Sequence, residues 1–330
     1  HGGIMGNRAF VLGYGQIGRA VSANLAAHGW DVVVGTTHSA RPDDSPASDW
    51  SKLDRNVFAE LDAAIGDRVD AVIDTVAFDA AHAAQWHRLT HTVGKLVVIS
   101  SISVYADDAG RTLDEAWTNR PPRFAFPIPE NNRRVAPGPE TYSTRKVALE
   151  DAVMALPIPS VIVRPGAIYG IGSRSPREWW FIQQALADRQ RIPLAWNGAS
   201  QFHPVAAENI AEIVRLAIAA PGSHVLNACD MTCPTAGEVG QAILAAMGST
   251  SEIDPFEGPP RGFEGLSPWT IPHPMVAATT AARQLGYHPV TSFSESVSAV
   301  TADLIERGGR HGWKLVFPGL AAYPHGFFLD

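Results

Sequence analysis

The 330-residue sequence predicts an α/β fold, a doubly wound parallel sheet carrying a smaller C-terminal lobe. Three observations lead there. Through the first half, short apolar runs rich in β-branched residues alternate with stretches of helical spacing. Those runs are continuously apolar, as expected of strands buried on both faces between helix layers. Past about residue 170 the chain turns irregular and rich in proline and aromatics, as in "SPREWWFIQQAL", "RIPLAWNG" and "FEGPPRGFEGLSPWTIPHP".

Taken in order, "RAFVLG" is the first strand, and "QIGRAVSANLAAHG" a helix with Gly29 where a C-terminal cap belongs. "DVVVG" is the second strand. After the short helical piece "VFAELDAAIG", "AVIDTVA" is the third. "DAAHAAQWHRLTHTVG" reads as a helix, and "KLVVISSISVYA" opens as the fourth strand. "TYSTRKVALEDAVMAL" is a helix and "PSVIVRP" a further buried strand. The plan that follows is a mainly nucleotide-binding core over residues 5–170 and a mainly substrate-binding lobe over 171–330. Some segments of the second part return to the core, and the active cleft lies between the two. No internal repeat or low-complexity linker interrupts this order.

Composition bounds the function. Apolar content of 45% and charged content of 18% describe an ordinary globular protein. A net charge of −7 carries no electrostatic footprint for nucleic acid or an anionic membrane. No run approaches the ~18 apolar residues of a membrane helix, and no secretory leader is seen. The opening "HGGIMG" is read as a tag remnant ahead of a start at Met5. The two cysteines, Cys229 and Cys233, cannot complete a structural zinc site alone and are read as incidental thiols of a reducing cytoplasm. The expected partner is a small-molecule substrate.

The glycines of "VLGYGQIGRAV" carry the first chemistry. Gly13 ends the first strand, Gly15 lets backbone approach a pyrophosphate, and Gly18 lets the helix pack on the strand. The helix starting at Gln16 and Ile17 aims its N–H groups and positive dipole end at the phosphates. This predicts a dinucleotide site of the Rossmann type. An NAD site commonly ends its second strand in Asp or Glu, which accepts from the ribose 2′-hydroxyl. Here Thr36 and Thr37 stand there, followed by Arg41, with Arg19 behind the glycines. Hydroxyls and guanidinium groups suit a 2′-phosphate, so NADP(H) is favoured over NAD(H).

In "YSTRK", Tyr142 and Lys146 are four apart and share one helix face. A neighbouring ammonium favours phenolate and draws the phenol towards working pH. "VVISSISVYAD" ends a buried strand with Ser100 and Ser101 at the sheet edge where open α/β folds bind ligands.

The glycine motif, "ISSISVYA", "YSTRK" and "VIVRPGAIYG", in this order, resemble the short-chain dehydrogenase/reductase superfamily, in its extended epimerase/dehydratase-like branch. The resemblance spans nearly the whole chain. It implies Ser101, Tyr142 and Lys146 as the catalytic set, with Lys146 and Tyr142 also touching the cofactor. It further implies that "IDTVAF", including Ala77, runs beside the cofactor and that Pro165 and Gly166 pack near the nicotinamide. The function it implies is hydride transfer between NADP(H) and a carbonyl/alcohol pair. The alternatives are a sugar or sugar-nucleotide epimerase without net redox change, or a non-catalytic NADP(H)-binding or RNA-associated protein. Dimers are common in such folds, although the sequence names no interface.

Departures narrow the reaction. Leu12 stands where the fullest glycine pattern has glycine. Ile102 and Ser103 replace the Asp and Glu with which sugar dehydratases perform elimination. The stretch "ASQFHPVAAENIA" lacks the arginine with which nucleotide-sugar epimerases grip a pyrophosphate. The long segment 106–141, with Phe124, Phe126, Asn131 and Asn132, reads equally as a lid or a surface excursion. Trp179, Trp180 and Trp196 line a pocket or pack the second lobe. His203 falls near the place where that lobe meets the substrate. His87 and His91 are four apart on a predicted helix, but no HExxH motif or carboxylate accompanies them, so no metal site is expected.

Overall fold

The computed structural model describes residues 7–329, so the opening "HGGIMG" and the reading placed on it lie outside the described residues. The first half runs β1 (Arg8–Leu12), α1 (Gln16–Ala27), β2 (Asp31–Thr36), β3 (Asp49–Lys52), α2 (Phe58–Ile65), β4 (Ala71–Asp74), α3 (Ala80–His87) and β5 (Leu96–Ile99). After a long segment come α4 (Tyr142–Met154), β6 (Ser160–Pro165), β7 (Ala167–Tyr169), α5 (Trp179–Leu186), β8 (Arg191–Leu194), β9 (Pro204–Ala206), α6 (Ala207–Ala219) and β10 (His224–Ala228). The chain closes with α7 (Ala236–Ala246), β11 (Glu252–Pro255), α8 (Thr280–Gln284), α9 (Phe293–His311) and α10 (Trp313–Val316).

The main sheet has seven strands in the order β10-β6-β5-β4-β1-β2-β3, and every pairing is parallel. Strand order reverses between β1 and β4, which opens the crevice where such sheets bind ligands. Ala9, Val11, Val32, Val34, Ile73 and Val97 face a core layer covered by α1 and α6. Their neighbours Phe10, Leu12, Val33, Val72, Leu96 and Val98 face the opposite layer, closed by α2, α3 and α4. Both alternating sets are buried, so these strands read as unbroken apolar runs. Each such side chain contributes roughly 1.5–3 kcal/mol when fully withdrawn from water.

Two edge strands, β3 and β10, were not among the strands predicted from the sequence. β3 reads "DWSK" and is exposed or half-buried throughout. The predicted helix after Asp79 is shorter than its pattern: Asp79 caps its start, but regular helix ends at His87 and the Thr90 hydroxyl bonds the His87 carbonyl at 2.6 Å. His87 and His91 therefore share no helix face. Among the described residues no group of three His, Cys, Asp or Glu could hold a metal.

The second lobe has its own core. Trp179, Phe181 and Ile182 of α5 meet Val239 and Ile243 of α7, Val297 and Leu304 of α9, and Phe317, Phe327 and Phe328 of the tail. Two elements beyond residue 170 return to the first body: β10 joins the main sheet, and α6 packs on α1, where Asn24 donates to Glu212 at 3.1 Å. Cys229 and Cys233 are free thiols, the first buried. Among the described residues no helix is long and apolar enough to cross a membrane.

Candidate active site

The crevice begins at the turn from β1 into α1. Gly13 sits at φ +95°, a conformation side chains resist, and its N–H donates to the Gly35 carbonyl at 2.8 Å. A Cβ on Gly18 would lie 2.1 Å from the Gly13 carbonyl oxygen, so α1 approaches the turn this closely only with glycine there. Gly15 differs: a Cβ there would meet nothing within 4 Å, because the residue opens onto two cavities. It caps α1 without a side-chain hydrogen bond, and the first turn holds no acid. The leading N–H groups and the positive helix end thus remain available to an anion. Leu12 belongs to the strand, 2% exposed in the core, so the turn itself still falls on Gly13.

One cavity, of about 830 Å³, is lined by Gly13, Arg19, Thr36 and Thr37, together with Tyr14 and Trp50. The Arg19 guanidinium lies over the Tyr14 ring, 5.0 Å from its centre, and Tyr14 meets Trp50 edge-on at 4.9 Å. Arg55 in the same wall is neutralised by Asp74 at 2.9 Å. Arg41, predicted to reach this place, does not line it. Its guanidinium donates to the Ser45 carbonyl at 3.0 Å, closing its own loop.

The second cavity, of about 670 Å³, joins the first at Gly15 and Val76 and is lined by Gln16, Ile17, Ser101, Tyr142, Pro165 and Gly166. Ser101 lies two residues past the end of β5, and its hydroxyl accepts the Ser103 N–H at 3.1 Å, which orients it at the strand end. Tyr142 opens α4, whose Thr141 cap fixes where the helix starts. The phenol stands in the cleft, 42% exposed, and desolvation there pushes its pKa above the usual 10. A hydrogen bond with Ser101 and the positive charge of Arg177 oppose that rise, while Asp114 adds to it.

Lys146 stands beside Tyr142 on α4 as the spacing predicts, but it does not line the cavity. It is 6% exposed and lies behind the cavity wall, its Nζ donating to the Ala77 and Ile99 carbonyls at 2.8 and 2.9 Å. Nζ is 5.7 Å from the centre of the Tyr142 ring. Burial lowers its pKa to about 8, against the pull of Asp74 and Glu150. Ala77 accordingly turns its carbonyl to the lysine and lines neither cavity, whereas its neighbour Val76 lines both. Gly18 is likewise buried beneath the turn.

The far wall comes from distant parts of the chain. Asp114 and Trp117 arrive from the long segment before α4, Arg177 from the approach to α5, and Tyr323 from the tail. The long segment is tied down: Arg134 pairs with Glu150 and Asp151 at 2.9 and 2.8 Å, and Ile128 bridges to Ala277. Trp117 donates to the Thr270 carbonyl at 2.8 Å and stacks on Phe327 at 5.2 Å.

Trp179 and His203, expected near the substrate, are absent from this wall. Trp179 is 3% exposed and packs against Phe317 inside the second lobe. His203 is 4% exposed, its Nε2 bonded to the Asp230 carbonyl at 2.8 Å and its Nδ1 accepting from Ala277 N–H at 3.1 Å. Both ring nitrogens are used in holding backbone, and burial lowers the ring's pKa. Asp114, Trp117, Arg177 and Tyr323 escaped the sequence reading because no local spacing announces a wall built from separate segments.

A strand–glycine turn–helix crevice with a Tyr-x-x-x-Lys helix at its end defines a nicotinamide-dinucleotide enzyme of the short-chain dehydrogenase/reductase type. The chain belongs to the NAD-dependent epimerase/dehydratase family, whose model matches residues 9–229. No curated protein matches the sequence significantly. Among solved structures, a Thermus thermophilus UDP-glucose 4-epimerase in complex with NAD is 18% identical, with a TM-score of 0.63 over 90% of this chain and 98% of that one. A Thermotoga maritima UDP-glucose 4-epimerase with UDP-glucose is 15% identical, with a TM-score of 0.67 over 91% and 99%. A Bacillus anthracis dTDP-glucose 4,6-dehydratase in complex with NAD is 14% identical, with a TM-score of 0.67 over 94% and 99%. At these identities the likeness establishes a shared fold.

Proposed function

We propose that the chain interconverts a secondary alcohol and a carbonyl at the Tyr142 end of the crevice, as an epimerase that oxidises and re-reduces one carbon without net redox change. The observation that carries this reading is that Ser101 and Tyr142 share one cavity, which opens at Gly15 onto the glycine-lined one. A bound nicotinamide would supply a reversible hydride acceptor there. Gly13, Gly15, Gln16, Ile17, Arg19, Thr36 and Thr37 are the residues that would hold the dinucleotide, and the open space at Gly15 fits such a group.

The chain's own residues handle the proton. Tyr142 as phenolate takes the proton of the substrate hydroxyl on oxidation, and as phenol returns it on reduction. Ser101 hydrogen-bonds the same oxygen as charge develops. Lys146, fixed by two carbonyls, places a positive charge behind the phenol. Positioned acid–base catalysis of this kind is typically worth ~10²–10⁴-fold.

A second reading, a net NADP(H)-dependent oxidoreductase, draws on different observations. The end of β2 offers Thr36 and Thr37 rather than a carboxylate, with Arg19 beside them. The stretch "ASQFHPVAAENIA" has no arginine for a nucleotide sugar.

The test has two arms. Denaturing the purified protein should release bound coenzyme, and turnover of sugar nucleotides should need none added. Consumption of added NADPH on aldehydes and ketones, with no retained coenzyme, favours the second reading. Tyr142→Phe should abolish either activity while leaving coenzyme binding nearly intact. Full activity in that variant would sink both readings.

A further inference from the structure

The wall of the Tyr142 cavity holds two polar atoms withdrawn from water without a partner. The Ser103 hydroxyl is buried and makes no hydrogen bond, although the residue is 6% exposed and lines the cavity. Arg177 lines the same cavity, and its Nε is buried without a hydrogen-bond acceptor. Buried donors are seldom left unmatched, and each exception asks for an explanation. No ion pair engages Arg177 among the described residues, while Arg134, Arg164 and Arg307 all hold carboxylates.

The placement of the guanidinium indicates what it awaits. It lies over the Phe202 ring, 5.1 Å from its centre. Stacking occupies one face of the planar group and Nε is withdrawn from the surface, so a grip on an oxyanion in the cavity falls to the two terminal nitrogens. The remaining wall mixes the apolar rings of Trp117 and Tyr323, 5.7 Å apart, with serine hydroxyls and the more exposed Arg174, which unlike Arg177 is not held against an aromatic ring. Asp114 is a negative group on this wall and disfavours an anion near itself, which gives the cavity a polarity.

We propose that Arg177 is the anion-anchoring residue of this cavity, and that the substrate carries a carboxylate or phosphate on an apolar or aromatic body. This rests on the proposed alcohol–carbonyl chemistry at Tyr142 and names the class of molecule presented to it.

Calorimetric titration of the full chain with phenylacetate, phenyl phosphate and uncharged 2-phenylethanol tests the assignment. At least one anion should bind about tenfold or more tightly than the alcohol, the size expected of a charge-assisted pair. The tighter of the two anions identifies carboxylate or phosphate as the source. Arg177→Met should abolish the preference, and Arg177→Lys, which keeps the charge but lacks the fork, should narrow it. Should Arg177→Met not fold, the wild-type preference and the Lys variant still decide. Equal affinity for all three probes, binding of none, or an undiminished preference in the variants would overturn the proposal. Binding needs no turnover, so a Tyr142→Phe protein that still prefers the anion separates this assignment from the catalytic one.

Discussion

Arg164 grips Glu150 through two parallel hydrogen bonds, Nε to Oε1 at 2.9 Å and Nη2 to Oε2 at 2.7 Å, with both side chains almost wholly buried. Ser100 donates to the same carboxylate at 2.6 Å and Arg134 at 2.9 Å. One anion thus joins the end of β5, β6, the long segment and the helix that carries Tyr142. Removing it strands a buried guanidinium. Glu150→Ala should lose on the order of 3–5 kcal/mol in denaturant unfolding. A loss within about 0.5 kcal/mol, the range of an ordinary surface change, would show that the cluster holds nothing together.

Glu178 gives a pH signature. It is 1% exposed, and neither carboxylate oxygen bonds another residue. Burial pushes its pKa up to about 7, opposed in part by its own backbone N–H and by Arg177. The native state therefore binds more protons than the unfolded chain between the usual 4.5 and about 7, and stability falls as pH rises through that window. Glu178→Gln lacks this liability. The wild type should lose up to roughly 3 kcal/mol relative to the variant between pH 4.5 and 8. Parallel stability curves for the two proteins would refute the assignment.

Two glycines of one turn should respond differently. Gly18→Ala places a methyl against the Gly13 carbonyl and should destabilise the fold by about 1–3 kcal/mol as the turn shifts. Gly15→Ala meets open space, so its stability should stay within about 0.5 kcal/mol. Its methyl would nevertheless enter the crevice and weaken dinucleotide binding, as titration with NADPH or NAD⁺ would show. Unchanged coenzyme affinity in the Gly15 variant would place the dinucleotide elsewhere.

Arg19 is the test of coenzyme choice. If it meets a 2′-phosphate, Arg19→Ala should weaken NADPH about tenfold or more and leave NADH nearly unchanged. Equal losses for both coenzymes would mean that Arg19 serves only to hold Tyr14 in place.

The core strands were legible in the sequence because each is buried on both faces and must be apolar at every position. β3 was not, since an edge strand can be polar, and "DWSK" carries no run to detect. Tyr142 and Lys146 were legible as a pair because helix geometry brings residues four apart onto one face. What burial does to them was not: the lysine faces two carbonyls behind the wall, and desolvation raises the phenol. Trp179 and His203 mark a related boundary. A tryptophan filling a lobe and one lining a cavity have the same local sequence, and only tertiary packing separates them. Trp117 from the first half of the chain and Tyr323 from its tail line one cavity, a contact no periodicity encodes.

The crossing of β10 and α6 back into the first body constrains how this protein can change. β7 pairs with β9 outside the main sheet, and the chain then re-enters through α6 before β10 completes the sheet edge. Neither half can be excised, transplanted or inherited as a separate module, because any cut leaves one part short of a strand and a helix. New specificity must arise in place, by exchange of side chains in the long segment, the approach to α5 and the tail. Trp117 of the long segment packs on Tyr323 and Phe327 of the tail, so a change in one of these pieces asks for an answering change in the other.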